Sequence, residues 1–199
     1  NTLRLHIIMI MGNSRDTTFG KILTKELASK NEEFRIKALE SLGKLKYSSA
    51  ANQIQKFLSN DYSFLEKLAA VGCLGNIGNQ SAVPNLINLI NTWPTNWVDT
   101  DGPELRWEAA LALLKLGHNS LESEKIINDL LTRSYYKTYN ELDDNTINFV
   151  ILKILHIIDS INNLSLLTSF NSSIKQLADN DPNLEIRNFS KKVYKRLKY

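Results

Sequence analysis

Apolar residues recur at steps of three and four along most of this chain, the spacing of one face of a helix. The clearest stretch is LEKLAAVGCLGNIGNQSAVPNLINLI, residues 65 to 90. Leu68, Val71, Leu74 and Ile77 set the first stripe, with Ala69, Ala70 and Gly72 between them, so a neighbouring helix can come close. Gly75 and Gly78 stand where that helix is expected to stop, because Gly accepts the left-handed conformation that closes helices. Ser81 is the expected cap of a second helix and Pro84 belongs in its first turn. Val83, Leu86, Ile87 and Ile90 form its apolar face, and Asn85, Asn88 and Asn91 point elsewhere.

This pair of helices recurs. Sliding the chain by 32 residues lays Ala38, Leu42, Gly43, Leu45, Ser49, Ala50, Ile54 and Leu58 on Ala70, Leu74, Gly75, Ile77, Ser81, Ala82, Leu86 and Ile90. A shift of 39 the other way puts Ala109, Leu113, Leu116 and Gly117 on Ala70, Leu74, Ile77 and Gly78. Fainter copies follow at Ile147, Ile151, Leu155 and Ile158, and at Ile186, Ser190, Tyr194 and Leu197. Leu5, Ile8, Met11 and Gly12 match Val71, Leu74, Ile77 and Gly78, so the first residues read as the inside of a repeat. The next helix, TFGKILTKELAS, is expected to bury Phe19, Ile22, Leu23 and Leu27. Two-helix units of this length cannot bury their faces alone and must stack. The expected fold is all-α, a right-handed α–α superhelix of about five to six helical pairs with the first and last incomplete. It reads as one continuous domain over residues 1–199, belonging to a longer chain.

The segments FRIKALESLGKL (34 to 45), SAVPNLINLI (81 to 90), DGPELRWEAALALLKLG (101 to 117) and DPNLEIR (181 to 187) resemble the HEAT repeat family, in particular the short bacterial repeats of phycobilisome lyase-like proteins. That resemblance implies a non-catalytic scaffold for protein–protein interaction. It also implies an Asp–Arg ladder between neighbouring repeats. Arg35, Arg106 and Arg187 stand at the ladder position, and Lys67 and Asn148 replace Arg in two repeats. Asp61, Asp101, Asp144 and Asp181 precede the first helices, where a carboxylate is expected to cap free N–H groups.

Two insertions depart from the repeat, TWPTNWVDTDG after Asn91 and TRSYYKTYNELDDNT after Leu131. Both join a second helix to the next first helix, so they are expected on one edge. They gather Trp93, Trp97, Tyr135, Tyr136 and Tyr139 with Asp99, Asp101, Asp143 and Asp144. Aromatic residues on loops held by a rigid scaffold suit a partner-binding edge; the alternative is that they fold back to cover the helix ends. Of these, Trp93, Trp97, Asp99, Asp101, Tyr135, Tyr136 and Tyr139 are the candidate partner contacts, and Trp107 reads as core. A second candidate surface is the concave face made by the second helices, with Lys21, Lys25, Gln53, Lys56, Asn85, Asn88, Lys125, Asn128 and Lys175 on its polar side.

Composition changes this picture little. The chain has 199 residues, 43% of them hydrophobic, with four Pro and eight Gly, enough apolar material for a large core. Its net charge of +3 does not dictate a nucleic-acid partner. Residues 184 to 199, however, hold Arg187, Lys191, Lys192, Lys195, Arg196 and Lys198 against Glu185 alone, which keeps a nucleic-acid-binding or base-excising solenoid as an alternative. A chromophore lyase-type subunit is a further alternative, on the repeat resemblance alone. The lone Cys73 reads as a buried thiol, and His6, His118 and His156 as structural. P-loop, GxGxxG, HExxH, CxxC and GxSxG motifs are absent, so neither catalysis, a metal nor a cofactor is expected. No apolar run reaches the roughly 20 residues that span a bilayer, and a cytoplasmic location, or the cytoplasmic face of a membrane, is expected.

Overall fold

A computed structural model of the protein describes residues 2–92, 103–136 and 142–198. Among these, all regular structure is helical. The chain falls into two compact units, 1–116 and 117–199.

The first unit is a stack of helical pairs. Its helices are α1 (Thr2–Asn13), α2 (Gly20–Glu26), α3 (Glu32–Lys44), α4 (Ala51–Gln55), α5 (Phe64–Ile77), α6 (Val83–Thr92) and α7 (Glu104–Lys115), with short 3-10 turns leading into α2, α4 and α6. The first helices α1, α3, α5 and α7 lie side by side and parallel. Arg4 sits over the Phe34 ring and the Ser41 hydroxyl donates to the Ile8 carbonyl, so both chain positions advance together along the α1–α3 contact. Small residues set the spacing at the same turn of each helix. Gly12 faces Ser41, Gly43 faces Cys73 and Gly75 faces Ala112, each too close for a side chain to enter freely. One residue further on, Lys44 donates to Asn13 and Lys115 donates to Asn76, at 3.0 and 2.9 Å. Ala38, Leu42, Ala70, Leu74, Ala109 and Leu113 form the buried seam between these helices. Trp107 is core, as its register implies, and so is Cys73, whose burial pushes its thiol pKa up to about 12.

The helix starts differ from the expected Asp caps. Asn31 accepts the Phe34 N–H at the head of α3. Ser63 forms a capping box with Glu66 at the head of α5. Asp61 is not a cap, because the chain turns two residues later and the cap falls on Ser63. Ser81 likewise lies inside the 3-10 turn that Asn79 begins, and donates its hydroxyl to Asn79. Gly78, at φ 74°, closes α5 as expected, whereas Gly75 lies within the helix. The expected burial on the second helix holds for Leu23 and Leu27 only. Ile22 is exposed and Phe19 half-buried, because the 3-10 turn Thr17–Phe19 shifts the register before α2 begins.

Arg35 ties successive pairs. Its Nε donates to Glu66 Oε1 at 2.6 Å and its Nη1 to the Ser29 carbonyl at 2.7 Å, beyond the end of α2. Arg106 makes the same move onto the Ile90 carbonyl of α6. The expected ladder therefore exists, but its rungs are backbone carbonyls and Glu66 rather than the Asp residues. Burial alone would raise the Glu66 pKa; the hydrogen bond from Arg35, the Ser63 N–H and the Arg35 charge outweigh it and hold the carboxyl below its ordinary 4.5. A carboxylate with a depressed folded pKa stabilises above its unfolded pKa, and that contribution fades as pH falls through the folded value. Glu66→Gln is accordingly expected to cost about 2 kcal/mol at neutral pH, as a lost charge-assisted hydrogen bond does. Melting curves from pH 7 down to pH 3 should show the difference from wild type shrinking below about pH 4.5; a constant difference would argue against this carboxylate.

The second unit contains α8 (Leu121–Leu130), α9 (Arg133–Tyr136), α10 (Asp144–Ser160), α11 (Asn171–Asn180), preceded by a 3-10 run at Leu164–Phe170, and α12 (Leu184–Lys198). Asp143 caps α10, accepting the Thr146 N–H, so Asp144 is free of that role and its side chain is 92% exposed. Asn183 caps α12 by accepting from Glu185 and Ile186. Asp181 is buried instead, where Arg133 reaches it through two hydrogen bonds of 2.6 and 2.9 Å. Arg187 returns to the Asp181 carbonyl, as Arg35 and Arg106 do to theirs.

Candidate binding surface

The second helices of the first unit are short. α4 ends at Gln55 and passes into the 3-10 turn Lys56–Leu58, leaving a gap beside the longer α6. This gap is a groove of about 530 Å³. Its walls are amide and hydroxyl side chains, among them Gln55, Asn60, Asn85, Asn88 and Thr92, while Leu58, Leu89 and Leu105 are its apolar lining residues. Gln55 is held in place from both sides. Its Nε2 donates to Ser81 Oγ at 2.9 Å and its Oε1 accepts from Asn85 Nδ2 at 2.9 Å. The Thr92 hydroxyl donates to the Asn88 carbonyl. Lys67, at the position where α3 and α7 carry Arg, also lines the groove and is 7% exposed as a residue.

Of the residues expected on the second-helix face, Asn85 and Asn88 line this groove. Lys21, Lys25, Gln53 and Lys56 are exposed and lie outside its lining. At α4 helical spacing picks Gln53 and Lys56, which are exposed, whereas the residue that lines the groove is Gln55, the last of the helix before the chain changes to 3-10 geometry. Lys67 was visible as the substitution of Lys for Arg in the repeat. In the second unit Lys125 is exposed, and Lys175 pairs with Asp179. Asn128 is not a free face residue. It accepts from the Ser173 hydroxyl and donates to the Glu124 and Ser169 carbonyls, which ties α8 to α11 and the run before it.

Trp93, Trp97, Asp99, Asp101 and Tyr139 lie outside the described residues. Tyr136 is 2% exposed and donates its hydroxyl to the Leu130 carbonyl, so it packs in the core rather than on an open edge. Burial raises its phenol pKa. Tyr135 is half-buried, with its ring edge-on to Tyr136 at 5.7 Å. Among the described residues no group of His, Cys, Asp and Glu could hold a metal ion, and no helix is long and apolar enough to cross a membrane. His156 is exposed and rests on the Phe189 ring at 4.5 Å; His6 bonds the Thr2 carbonyl of its own helix.

Parallel first helices with repeated close contacts, shorter second helices beside them, and Arg35 and Arg106 clamping α3 and α7 to their neighbours describe a helical-pair repeat. The family model for HEAT repeats matches residues 20–98, the stretch that holds α2 to α6 and every residue of the groove lining but Leu105. Residues 20–98 contain HEAT repeats. Such repeats are in general protein-interaction modules and typically non-catalytic. The groove is formed between the second helices of two successive HEAT pairs, with Lys67 and Leu105 contributed by first helices. No curated protein matches the chain.

Proposed function

We propose that the protein is a non-catalytic scaffold that holds a partner protein in the groove between α4 and α6. The observation that carries this is the wall of carboxamides, in which Gln55 is fixed by Ser81 and Asn85. Carboxamides offer both donor and acceptor, which suits the N–H and C=O groups of a polypeptide backbone. The apolar patches from Leu58 and Leu89 give a partner side chain somewhere to bury. Trp93, Trp97, Asp99 and Asp101 follow Thr92 in the chain, and we include them in the proposed contact set; Tyr135 and Tyr139 belong to the other unit and are proposed as partner contacts by themselves, and Tyr136 is left out because it is core.

The test is affinity capture with the wild-type chain and with an Asn88→Arg, Thr92→Arg variant whose helicity and melting are first shown to be unchanged. A captured protein lost at least tenfold from the variant supports the groove. Equal capture by both overturns it.

The basic last helix supports nucleic acid less well than its composition suggests. Lys192 and Arg196 both pair with Asp159, and Arg196 also donates to the Ile158 and Ile161 carbonyls. Arg187 is engaged at Asp181. Lys191, Lys195 and Lys198 are exposed on α12, and so is Lys192 despite its ion pair. Nucleic acid retained at low salt and released as salt rises, in both versions of the capture, would replace the scaffold reading.

A further inference from the structure

The groove beside α4 and α6 has a charge and a direction, and both constrain what fills it. Lys67 is the one charged side chain among the described residues that line it, and it is 7% exposed. A cation so sheltered acts through less water than a surface lysine, so it separates a carboxylate from a neutral group more sharply. Lys67 stands where Arg35 and Arg106 reach backbone carbonyls, and it presents a point charge in place of their planar fork. Its neighbour Glu66 is already bound by Arg35. The approach to the groove is basic as well. Residues 17–30, 48–60 and 79–92, which hold the second helices, contain Lys21, Lys25, Lys30 and Lys56 against Glu26, and Glu26 is engaged by Arg4 at 2.7 Å. Asp61 follows the lining residue Asn60 and accepts from the Ser59 hydroxyl.

The direction comes from α6. Asn85, Asn88 and Thr92 stand at i, i+3 and i+7, a stripe about 10 Å long, which matches roughly three residues of extended chain. All three are exposed, as is Asn60. Among the described residues nothing bonds the carboxamides of Asn60 and Asn88, so each keeps donors and an acceptor for a ligand. A helical ligand would leave them idle, because its own N–H and C=O groups are paired along the helix. An extended backbone can use them.

Resting on the scaffold reading above, we propose that the groove takes an extended acidic segment of the partner protein, with its backbone bonded by Asn60, Asn85 and Asn88 and one carboxylate held by Lys67. Leu58 and Leu89 receive an apolar side chain beside that carboxylate, so the segment mixes acidic and apolar residues. A single-stranded nucleic acid fits less well, since no aromatic ring among the described lining residues gives a base a surface to stack on.

The probe is a fluorescently labelled peptide of about eight residues built from Glu, Leu, Ser and Pro, roughly 26 Å long when extended. Its control carries Gln in place of every Glu. Fluorescence polarisation with the whole chain is expected to show the Glu peptide binding about tenfold more tightly at low salt, a preference that shrinks as salt rises. Methylating the central backbone amides of the Glu peptide should weaken it to a similar degree. A Lys67→Met variant with an unchanged melting curve should bind the Glu and Gln peptides alike; if that variant does not fold, the two peptides on the wild-type chain still decide. Equal binding of both peptides by the wild-type chain, lost in the Asn88→Arg, Thr92→Arg variant, would overturn the acidic segment and leave the groove standing. So would binding of neither peptide beside capture of a protein that this variant loses. A Glu preference that survives Lys67→Met, or an oligothymidine that displaces the Glu peptide at a lower concentration than unlabelled peptide does, would also overturn the proposal. Equal protein capture by the wild-type chain and the Asn88→Arg, Thr92→Arg variant would remove the scaffold reading and this proposal together.

Discussion

Replacing Arg133 by Met is expected to destabilise the second unit by about 3 to 5 kcal/mol, the cost of stranding a buried charge. Asp181 has no solvent-exposed side-chain surface, and its two oxygens receive Nε and Nη2 of Arg133. The Asn183 N–H also reaches Oδ1, so the carboxylate keeps one donor in the variant, but no opposite charge at that distance. The same guanidinium donates to Asn148 of α10, which joins three elements through one side chain. Met preserves most of the apolar stem, so lost packing contributes little and the measured loss reports the charge. The companion substitution Asp181→Asn should cost less than Arg133→Met, because it leaves Arg133 able to turn toward solvent and Asp144. Chemical denaturation of the two single variants and the double variant checks this: the double must be more stable than the sum of the single losses implies, and strict additivity would show that the pair is not coupled.

Arg133 also shows what the sequence could and could not say. The repeat pattern placed the helices, because apolar spacing and small residues are local properties that stacking then uses. It placed Trp107, Cys73 and Gly78 correctly for the same reason. It assigned Asp181 to a helix cap, when the real partner is 48 residues away in an insertion with no repeat counterpart. No spacing rule links those positions. In the same insertion the first turn folds as α9 and puts Tyr136 in the core, its hydroxyl on the Leu130 carbonyl, as expected if the aromatics cover the helix ends and not if Tyr136 stood on an open edge. In the groove, Asn85 and Asn88 followed from the register of a regular helix, and Gln55 did not because α4 changes to 3-10 geometry immediately after it. Lys67 was visible only as an exception within the pattern. Exceptions of that kind point to a position without saying which cavity it lines.

Gly75→Val is expected to cost about 3 kcal/mol, at the upper end of what overpacking a close-packed seam costs. A Cβ at Gly75 would sit 2.9 Å from both Cα and Cβ of Ala112, and the first of these is backbone. Relief therefore requires α5 and α7 to move apart along a junction that also holds Lys115 on Asn76. Valine adds two methyl groups beyond that Cβ, and its branching is poorly suited to a helix interior. Gly72→Ala provides the contrast. It lies one turn earlier on the same helix, and its new Cβ would meet Glu108 Oε1 at 3.2 Å, the far end of a flexible side chain rather than backbone. Removing a helix-interior Gly gains up to about 1 kcal/mol, so Gly72→Ala should be neutral or stabilising while Gly75→Val is clearly destabilising. Thermal melts of the two variants test whether contact with a neighbouring helix, rather than helix propensity, fixed glycine at position 75. Similar losses at both sites would mean that the spacing of α5 and α7 is not set there.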